Sequence, residues 1–312
     1  MDVVLLFPGQ GSQKPGMAKD LAETAPQARH VFELVDRALG VSLSAIAFHG
    51  PEDELTTTRN AQPALLAHGA AVWALVKETV ASHVRAAAGH SLGEFTAYYA
   101  AGSLSLTDAA TLVRRRGELM YESGLKRPGA MAAILGIPEG KVEDACRRAS
   151  VNGGCVVPAN YNTPEQLVVS GEIAAVERAM QLAKELGAKR AVRLNVSGAF
   201  HSPLMEVARE GLQRALGDAE FTAPVFPVFS NVSARAVTDV GDARRLLLEQ
   251  LTSPVRWTEV VRGLAAAYPT ALFVEMGPGN VLTNLTKRIA PDVKTATCGT
   301  APEVDRLLEM VA

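Results

Sequence analysis

The chain has 312 residues, of which 48% are hydrophobic and 21% charged, so it can form a substantial core in one large domain or about two ordinary ones. Its 31 Lys and Arg side chains and 33 Asp and Glu side chains give a net charge of -2, which argues against nucleic acid or a membrane surface as a partner. The three cysteines lack the spacing of a metal site or a disulfide framework and favour a reducing cytoplasm; they are Cys146, Cys155 and Cys298.

The apolar stretches of the chain do not predict a secretion signal or a membrane span. Acidic Asp2 precedes only a short apolar run that stops at Pro8, which does not fit a signal peptide. The longest apolar stretch, residues 63–76, contains His68 and is too short to cross a bilayer. The sequence therefore predicts a soluble, cytoplasmic protein.

Short apolar runs alternate with longer helical patterns along most of the chain. This alternation is typical of a mostly parallel sheet covered by helices. The predicted core strands are residues 3–7, 84–89, 224–230 and 271–276, and each leads into a turn. The pattern predicts an α/β fold with a parallel core sheet.

The first predicted strand ends in a glycine-rich loop with the sequence FPGQGSQKPGM. Such a loop can surround a phosphate with backbone N–H groups, but a Walker loop needs a Lys-Ser or Lys-Thr pair, and here proline follows Lys14. A dinucleotide fingerprint that starts at Gly9 would need a third glycine at the position of Lys14. A purely structural turn and a backbone donor for some other oxyanion remain as alternatives.

The second predicted strand runs into a G-x-S-x-G sequence, residues 89–93, which is followed by an alanine-rich helix. A serine on such a sharp strand-to-helix turn has an exposed hydroxyl at a helix N-terminus, where developing negative charge is stabilised. Ser91 is therefore the candidate nucleophile, and the N–H of Leu92 points to where an oxyanion would form. A turn that is merely tight is the alternative.

One helix after the G-x-S-x-G turn at residues 89–93, which we call the elbow, a helical pattern contains the only basic run of the chain, Arg114 to Arg116. Its apolar positions define one face, onto which Arg116 also falls; these positions are Ala109, Leu112, Val113, Leu119 and Met120. An arginine on a buried face must be paired, because an unmatched interior charge is very costly. From the pattern alone, a structural salt bridge and a ligand-binding role are both possible.

The segment from 128 to 196 has a different pattern, with strands and helices in the order βαββαβ and the last strand in residues 189–196. This order predicts a split βαβ, ferredoxin-like small domain. We predict that it occupies residues 128–196 and is inserted into a larger domain of residues 1–127 and 197–312.

A nucleophilic serine needs a base, because a hydroxyl is a weak nucleophile at neutral pH. His90 adjoins Ser91 in sequence, so its side chain should leave the elbow in another direction. His201 stands in a loop after the last strand of the inserted unit and just before a Ser-Pro helix start, where chains commonly carry function. The alternative is an ordinary helix-flanking histidine, as we expect for the remaining four, His30, His49, His68 and His83.

Six motifs occur along the chain in a characteristic order: FPGQGSQ, GHSLGE, an arginine followed by glycine one helix later, NYNTPEQLVVSG, GAFHS and EMGPGNVLTNLTKRI. In this the chain resembles malonyl-CoA:acyl-carrier-protein transacylases, over nearly its whole length. The resemblance implies an α/β-hydrolase-like large domain with a ferredoxin-like small domain.

The resemblance also implies roles for individual residues. Ser91 would be acylated, with His201 as its general base. Gln250, in the position of an orienting residue, would accept a hydrogen bond from His201 through a carbonyl oxygen. The backbone N–H groups of Gln10 and Leu92 would form the oxyanion hole, so the glycine loop would hold a tetrahedral intermediate and not a phosphate.

Four further residues are expected to bind the substrate. The resemblance implies that Arg116 holds the free carboxylate of the malonyl group in a bidentate contact that lysine could not reproduce. Phe200 resembles the malonyl-type signature of related acyltransferase domains. Because the small domain lies between Ser91 and His201 in sequence, we expect it to form one wall of a cleft, with Asn160 and Asn162 near the site.

The function implied is a ping-pong transfer of malonyl from malonyl-CoA through a malonyl-serine to the phosphopantetheine thiol of an acyl carrier protein in fatty-acid synthesis. No metal or other cofactor is expected. A discrete acyltransferase of a polyketide synthase would have nearly the same sequence. A serine thioesterase or esterase and a non-catalytic carrier-docking module are the alternatives from other classes.

Overall fold

The computed structural model describes residues 1–151 and 153–312. Its first elements are β1 (Val3–Phe7), α1 (Lys19–Thr24), α2 (Pro26–Leu39), α3 (Leu43–His49), α4 (Glu52–Thr56), α5 (Thr58–Val80), β2 (Val84–Gly89), α6 (Gly93–Ala100) and α7 (Leu106–Lys126). The middle elements are β3 (Gly129–Leu135), α8 (Glu139–Ala149), β4 (Val156–Thr163), β5 (Gln166–Glu172), α9 (Ile173–Glu185) and β6 (Arg190–Arg193). The last elements are α10 (Glu206–Asp218), β7 (Val228–Phe229), β8 (Ala236–Val237), α11 (Val240–Glu249), α12 (Trp257–Ala267), β9 (Leu272–Met276), α13 (Val281–Ile289), β10 (Lys294–Cys298) and α14 (Ala301–Val311).

The large sheet has six strands in the order β10-β9-β1-β2-β7-β8. All neighbouring strands are parallel except β7 and β8. β1 is buried at every position, since alternate residues enter two different hydrophobic cores on opposite faces of the sheet. The predicted α/β fold with a parallel core sheet is confirmed.

The predicted strands at 3–7 and 84–89 have the predicted bounds, and β9 begins one residue later than predicted. The run at 224–230 is shorter than expected, with a strand of only 2 residues, Val228–Phe229. Pro224 and Pro227 lack the N–H that a strand interior needs, which accounts for the difference. The sequence pattern does not predict β10, because KTATC contains no apolar run.

The inserted sheet has four strands in the order β4-β5-β3-β6, all of them antiparallel. Helices α8 and α9 pack on it around a separate hydrophobic core. This arrangement confirms the predicted βαββαβ order and the ferredoxin-like fold. The last strand ends at Arg193, short of the predicted 196. The domain boundaries at 128 and 196 stay a prediction.

Helix α5 passes through the middle of the large domain. The stretch Thr58–His83, which contains residues 63–76, is long and apolar enough to cross a membrane by length and composition alone, so the length of residues 63–76 does not by itself exclude a membrane span. Within its most apolar 18-residue window, 67% is buried inside the protein, and the helix packs against α2 and α7. Its apolar composition is accounted for by this core position.

The two domains are joined beside the carboxyl end of the large sheet. Val255, in the loop before α12, pairs with β4: its N–H donates to Ala159 O at 2.8 Å and its carbonyl accepts from Tyr161 N at 2.9 Å. Thr258 Oγ1 adds a hydrogen bond to the carbonyl of Tyr161 at 3.0 Å. One strand of the small domain is thereby fixed to the loop that follows Gln250.

Candidate active site

A cleft of about 290 Å³ lies between the two domains. Its large-domain wall contains residues of the glycine loop, the elbow, α7 and the segment before α10: Gln10, Ser91, Leu92, Arg116, Phe200 and His201. Its small-domain wall comes from β3, β4, β5 and the segment after β6, and includes Met131, Ala133, Asn160, Asn162 and Val168. The expected two-walled cleft is therefore present.

Ser91 occupies a sharp turn between β2 and α6, with a left-handed φ of 53°. The turn is so tight that a Cβ on Gly89 would lie 1.8 Å from the carbonyl carbon of Gly93. A Cβ on Gly93 would lie 2.1 Å from the carbonyl oxygen of Phe7 in β1. Both glycines of the G-x-S-x-G sequence are thus required by close backbone approach, and the serine side chain is left facing the cleft.

His201 is correctly placed to accept the proton of Ser91. Its Nε2 lies 2.8 Å from Ser91 Oγ, and its Nδ1 lies 2.9 Å from the main-chain carbonyl of Gln250. Because a carbonyl can only accept, Nδ1 carries the proton and the Nε2 lone pair faces the serine. Burial and the nearby Arg116 charge lower the pKa of His201 to about 3, so the imidazole is a neutral base at physiological pH.

Gln250 contributes both its main chain and its side chain. The carbonyl oxygen that orients His201 is the main-chain one. The side-chain Oε1 accepts from Arg116 Nη2 at 2.9 Å, while Nε2 donates to Ser91 O at 3.0 Å and to Glu94 Oε2 at 2.7 Å. The residue therefore connects the histidine, the arginine and the backbone of the elbow.

Arg116 is only 1% exposed and donates to three neutral oxygens. Nη1 bonds Gln62 Oε1 at 2.8 Å, and Nη2 bonds both Ser91 Oγ at 3.0 Å and Gln250 Oε1. Among the described residues it has no carboxylate partner, so the structural salt bridge considered from the sequence is wrong. Burial lowers the pKa of Arg116 to about 10, against an opposing contribution from Glu94. A buried cation beside the nucleophile, held only by neutral groups, is arranged to bind an anion.

Gln10 and Leu92 line the cleft together with Ser91. The glycine loop comes this close to the elbow because His90 N donates to Phe7 O at 3.0 Å. A Cβ on Gly9 would lie 2.5 Å from the carbonyl oxygen of His90. Among the described residues, neither the Gln10 nor the Leu92 N–H donates to another group. Two free backbone donors beside a serine can stabilise an oxyanion.

The remaining predicted residues are also at the cleft. Asn162 Oδ1 lies 2.8 Å from Nε2 of His90, whose ring packs against Trp257. Asn160 lies in β4 next to the register shift of that strand. Phe200, 5% exposed, lines the cleft beside His201. The structure therefore brings all nine predicted residues together, while their roles stay predictions.

Three polar residues of the site are not revealed by the sequence analysis: Gln62, Glu94 and Asn231. Gln62 is a polar residue inside the apolar stretch of α5, which could have marked it. Asn231 follows β7 at the carboxyl end of a parallel strand, where ligand and catalytic groups gather. Glu94 lies in the first turn of α6, where an acidic residue is common and therefore carries little signal.

Comparisons with known proteins agree with this arrangement. Residues 4–306 match the family model of the acyl transferase domain. The malonyl CoA-acyl carrier protein transacylase of Bacillus subtilis is 46% identical over 293 residues, which cover 94% of this chain and 92% of the relative.

Two solved structures have the same fold. One is an acyl-carrier-protein-S-malonyltransferase from Bartonella henselae, with 44% identity, a TM-score of 0.95 and coverage of 100% of this chain and 99% of the other. The second is a malonyl-transacylase in complex with the acyl carrier protein of a type II polyketide synthase, with 39% identity, a TM-score of 0.95 and coverage of 99% and 100%. The chain belongs to the acyl transferase domain family, among the malonyl CoA-acyl carrier protein transacylases.

Proposed function

We propose that this protein transfers the malonyl group of malonyl-CoA to the phosphopantetheine thiol of an acyl carrier protein, through a malonyl-serine at Ser91. The observation that carries the proposal is the buried Arg116 guanidinium, which lies 3.0 Å from Ser91 Oγ and has only neutral partners. A nucleophile alone would fit many hydrolases. A nucleophile next to an unmatched buried cation fits an acyl group that ends in a carboxylate.

In the first half-reaction, Ser91 Oγ attacks the thioester carbonyl of malonyl-CoA as its proton passes to Nε2 of His201. The carbonyl oxygen becomes an oxyanion and accepts hydrogen bonds from the N–H groups of Gln10 and Leu92. Collapse of this intermediate breaks the carbon–sulfur bond, and His201 returns the proton to the departing sulfur of coenzyme A. Malonyl remains on Ser91 as an ester.

In the second half-reaction, the phosphopantetheine thiol takes the place of coenzyme A. His201 accepts the thiol proton, the sulfur attacks the ester carbonyl, and the same two amides stabilise the oxyanion. Collapse returns the proton to Ser91 Oγ and releases malonyl on the carrier protein. Because Gln250 O holds Nδ1–H in both steps, the histidine keeps one tautomer throughout.

Arg116 would hold the malonyl carboxylate in both half-reactions. Its hydrogen bonds to Gln62 and Gln250 keep the guanidinium fixed beside the serine, so little side-chain entropy remains to be lost on binding. Phe200, Asn160 and Asn162 would line the space around the acyl group and the pantetheine arm. The apolar side chains of the small-domain wall would limit access of water to the acyl-serine.

The chain itself supplies the nucleophile, the base and the oxyanion donors, so we propose that no metal or other cofactor takes part. The same proposal places the protein in the cytoplasm, without nucleic acid or membrane as partners. Fatty-acid synthesis is the proposed pathway. A polyketide synthase is the second candidate, because one solved relative is bound to the acyl carrier protein of such a system.

Intact-protein mass spectrometry tests the proposal. Mixing the protein with malonyl-CoA should add the mass of one malonyl group, and adding phosphopantetheinylated carrier protein should move that mass to the carrier. Loss of the adduct to water at a comparable rate without carrier would indicate a thioesterase. No adduct at all would indicate a docking module and overturn the proposal.

A further inference from the structure

The backbone on both sides of Ser91 is held by two buried side-chain amides. Because φ at Ser91 is 53°, the residue is in a region that non-glycine residues rarely adopt, and the surroundings must stabilise it. Two peptide planes meet at its Cα: one carries the Ser91 N–H and the other the Ser91 carbonyl. The orientation of both planes fixes the direction of the Cα–Cβ bond and hence of Oγ.

Asn231 holds the first plane. Its Oδ1 accepts from the Ser91 N–H at 2.7 Å, and its Nδ2 donates to Gly89 O at 2.7 Å. The side chain is 0% exposed and bridges the end of β2 to the serine. A carboxamide offers an acceptor and a donor on the same short side chain, which neither aspartate nor leucine can reproduce.

The Gln250 side chain holds the second plane. Its Nε2 donates to Ser91 O at 3.0 Å. In a trans peptide the carbonyl and the following N–H point in opposite directions, so this bond aims the Leu92 N–H the other way. The Leu92 N–H is one of the two free donors that face the cleft beside Ser91. The hydrogen bond from Gln250 to the Ser91 carbonyl therefore sets the direction of the Leu92 N–H, one of the two proposed oxyanion donors.

A single carboxylate ties the two amides together. Glu94 Oε2 accepts from the main-chain N–H of Asn231 at 3.1 Å and from Gln250 Nε2 at 2.7 Å. Glu94 is itself in the first turn of α6, directly after the elbow, and is 0% exposed. The loop after β7, the end of α11 and the elbow thus share one buried acceptor.

We propose that Asn231 is a positioning residue for the reaction: with the Gln250 side chain it holds the peptide planes on either side of Ser91, so that Oγ lies in line with His201 and the Leu92 amide. The inference rests on the proposed function in that Ser91 is the nucleophile. Without Asn231, the partly buried Ser91 N–H and the buried Gly89 carbonyl lose their partners, and the strained turn can relax toward ordinary geometry. A displacement of Oγ by a fraction of the His201 hydrogen-bond length is enough to slow the chemistry without changing how the substrate is bound.

The test compares Asn231→Ala and Asn231→Asp with wild type. The aspartate keeps the size and the acceptor for Ser91 N–H but places a second oxygen against Gly89 O. Asn60→Ala is the matched control, because Asn60 is also buried and makes two side-chain hydrogen bonds, to Glu54 O at 2.9 Å and from Arg114 Nη1 at 2.8 Å, away from the elbow.

Two rates are measured on folded protein: single-turnover malonylation at saturating malonyl-CoA, and labelling of Ser91 by a neutral fluorophosphonate. We expect both Asn231 variants to slow both rates by about 10- to 100-fold, with half-saturation by malonyl-CoA changed by less than about 2-fold. Asn60→Ala should keep the wild-type rates.

Wild-type rates in a folded Asn231 variant, or an equal loss in Asn60→Ala, would overturn the proposal. The proposal would also be overturned if an Asn231 variant needed more malonyl-CoA for half-saturation but kept the wild-type maximal rate. If wild type labels with the probe but forms no malonyl adduct, the proposed function fails. The effect of Asn231 on probe labelling then still decides whether it positions the serine.

Discussion

Ser91 and His201, whose side chains are joined by a 2.8 Å hydrogen bond, both have left-handed backbone conformations, with φ of 53° and 55°. For residues other than glycine, such geometry costs about 1–2 kcal/mol each and persists only where the surroundings impose it. At Ser91, the N–H donates to Asn231 Oδ1 and the carbonyl accepts from Gln250 Nε2; at His201, the main-chain carbonyl of Gln250 fixes the orientation of the imidazole ring. The alignment of nucleophile and base is therefore built into the fold before any substrate binds.

Ser91→Ala is expected to abolish covalent malonylation, because no other hydroxyl of the described residues is bonded to His201. His201→Ala should retain the nucleophile but slow both half-reactions by about 10²- to 10⁴-fold, the usual range for loss of a general base. The acyl-enzyme burst and its discharge to carrier protein, followed by mass spectrometry, measure both steps.

Normal labelling of the Ser91→Ala protein would show that the nucleophile lies elsewhere. The control is Ser12→Ala, since Ser12 also lines the cleft but makes no hydrogen bond to His201. This variant should be acylated at the wild-type rate.

The acid limb of the acylation rate should lie well below the ordinary histidine range. Burial lowers the pKa of His201 from 6.5 to about 3, and Arg116 is the next largest contribution to the lowering. A depressed pKa keeps the base neutral as pH falls, so labelling of Ser91 by a neutral fluorophosphonate should change little between about pH 8 and pH 5.

Arg116→Ala removes a positive charge next to the imidazole and should raise the pKa of His201. The acid limb of fluorophosphonate labelling should then move to higher pH relative to wild type. The probe carries no carboxylate, so the shift is not confused with lost substrate binding. An acid limb at the same pH in both proteins would show that the charge of Arg116 does not act on the base.

Much of the site could be predicted from the sequence, because the residues concerned stand in local patterns. The G-x-S-x-G turn identifies Ser91 through its flanking strand and helix, and the helical period places Arg116 on a buried face. The partners of these residues have no local pattern. Gln62, 54 residues before Arg116, and Asn231, 140 residues after Ser91, reach the site only through the packing of distant elements.

In the fold, too, elements with a local sequence pattern could be predicted, and elements that depend on distant strands could not. Regular apolar runs predicted β1, β2 and the βαββαβ order of the small domain. The short strand at Val228–Phe229 and the polar strand β10 depend on pairing with strands that are already in place, so local sequence carries little signal for them.

Gly89→Ala should destabilise the protein strongly, because the added Cβ would lie 1.8 Å from the backbone of Gly93, where no flexible side chain can move aside. We expect a loss of several kcal/mol, in the range of severe overpacking. Gly140→Ala is the matched control, since a Cβ there meets nothing within 4 Å and the position is helical. It should be neutral or stabilise by about 0.5–1 kcal/mol. Urea denaturation of both variants measures the difference, and equal stabilities would contradict the close approach at the elbow.

Glu94 should make the protein less stable as pH rises. Burial raises its pKa from 4.5 to about 7, so its contribution is fully present below pH 4.5 and is lost as pH rises through about 7. At about 1.4 kcal/mol per pKa unit, the loss is roughly 3 kcal/mol. Glu94→Gln removes the titration and keeps an acceptor for Asn231 and Gln250.

The difference in unfolding free energy between wild type and Glu94→Gln isolates this contribution. The comparison with the variant is needed because three buried histidines give the stability an opposite pH dependence. Burial lowers the pKa of His68, His90 and His201, so their contribution to stability is lost as pH falls below about 6.5. We expect wild type to lose stability relative to the variant between pH 4.5 and about 8. A constant difference over that range would show that Glu94 does not titrate there.

We expect Arg116 and Phe200 to control different parts of the acyl selectivity: Arg116 the preference over acetyl, and Phe200 the preference over methylmalonyl. Arg116 favours a terminal carboxylate, since each charge-assisted hydrogen bond shielded from water contributes on the order of 1.5–3 kcal/mol. Acetyl-CoA offers no carboxylate and leaves the guanidinium with its neutral partners. Phe200 lies beside His201 at 5% exposure, and its bulk should crowd an α-methyl group, a weaker discrimination of roughly 1–3 kcal/mol. Wild type should therefore prefer malonyl strongly over acetyl and more mildly over methylmalonyl.

Variants separate the two effects in competition assays with paired thioesters. Arg116→Ala should erase the preference for malonyl over acetyl, and Arg116→Lys should restore only part of it, because an ammonium keeps the charge without the two-pronged geometry. Arg115→Ala is the matched control, since that side chain is 43% exposed and pairs with surface carboxylates of its own helix. Phe200→Ser should relax discrimination against methylmalonyl and leave the rejection of acetyl intact, whereas Phe200→Tyr keeps the ring and should behave as wild type. Full discrimination against acetyl-CoA by Arg116→Ala would mean that the arginine only supports the site, and that the carboxylate is recognised by another group.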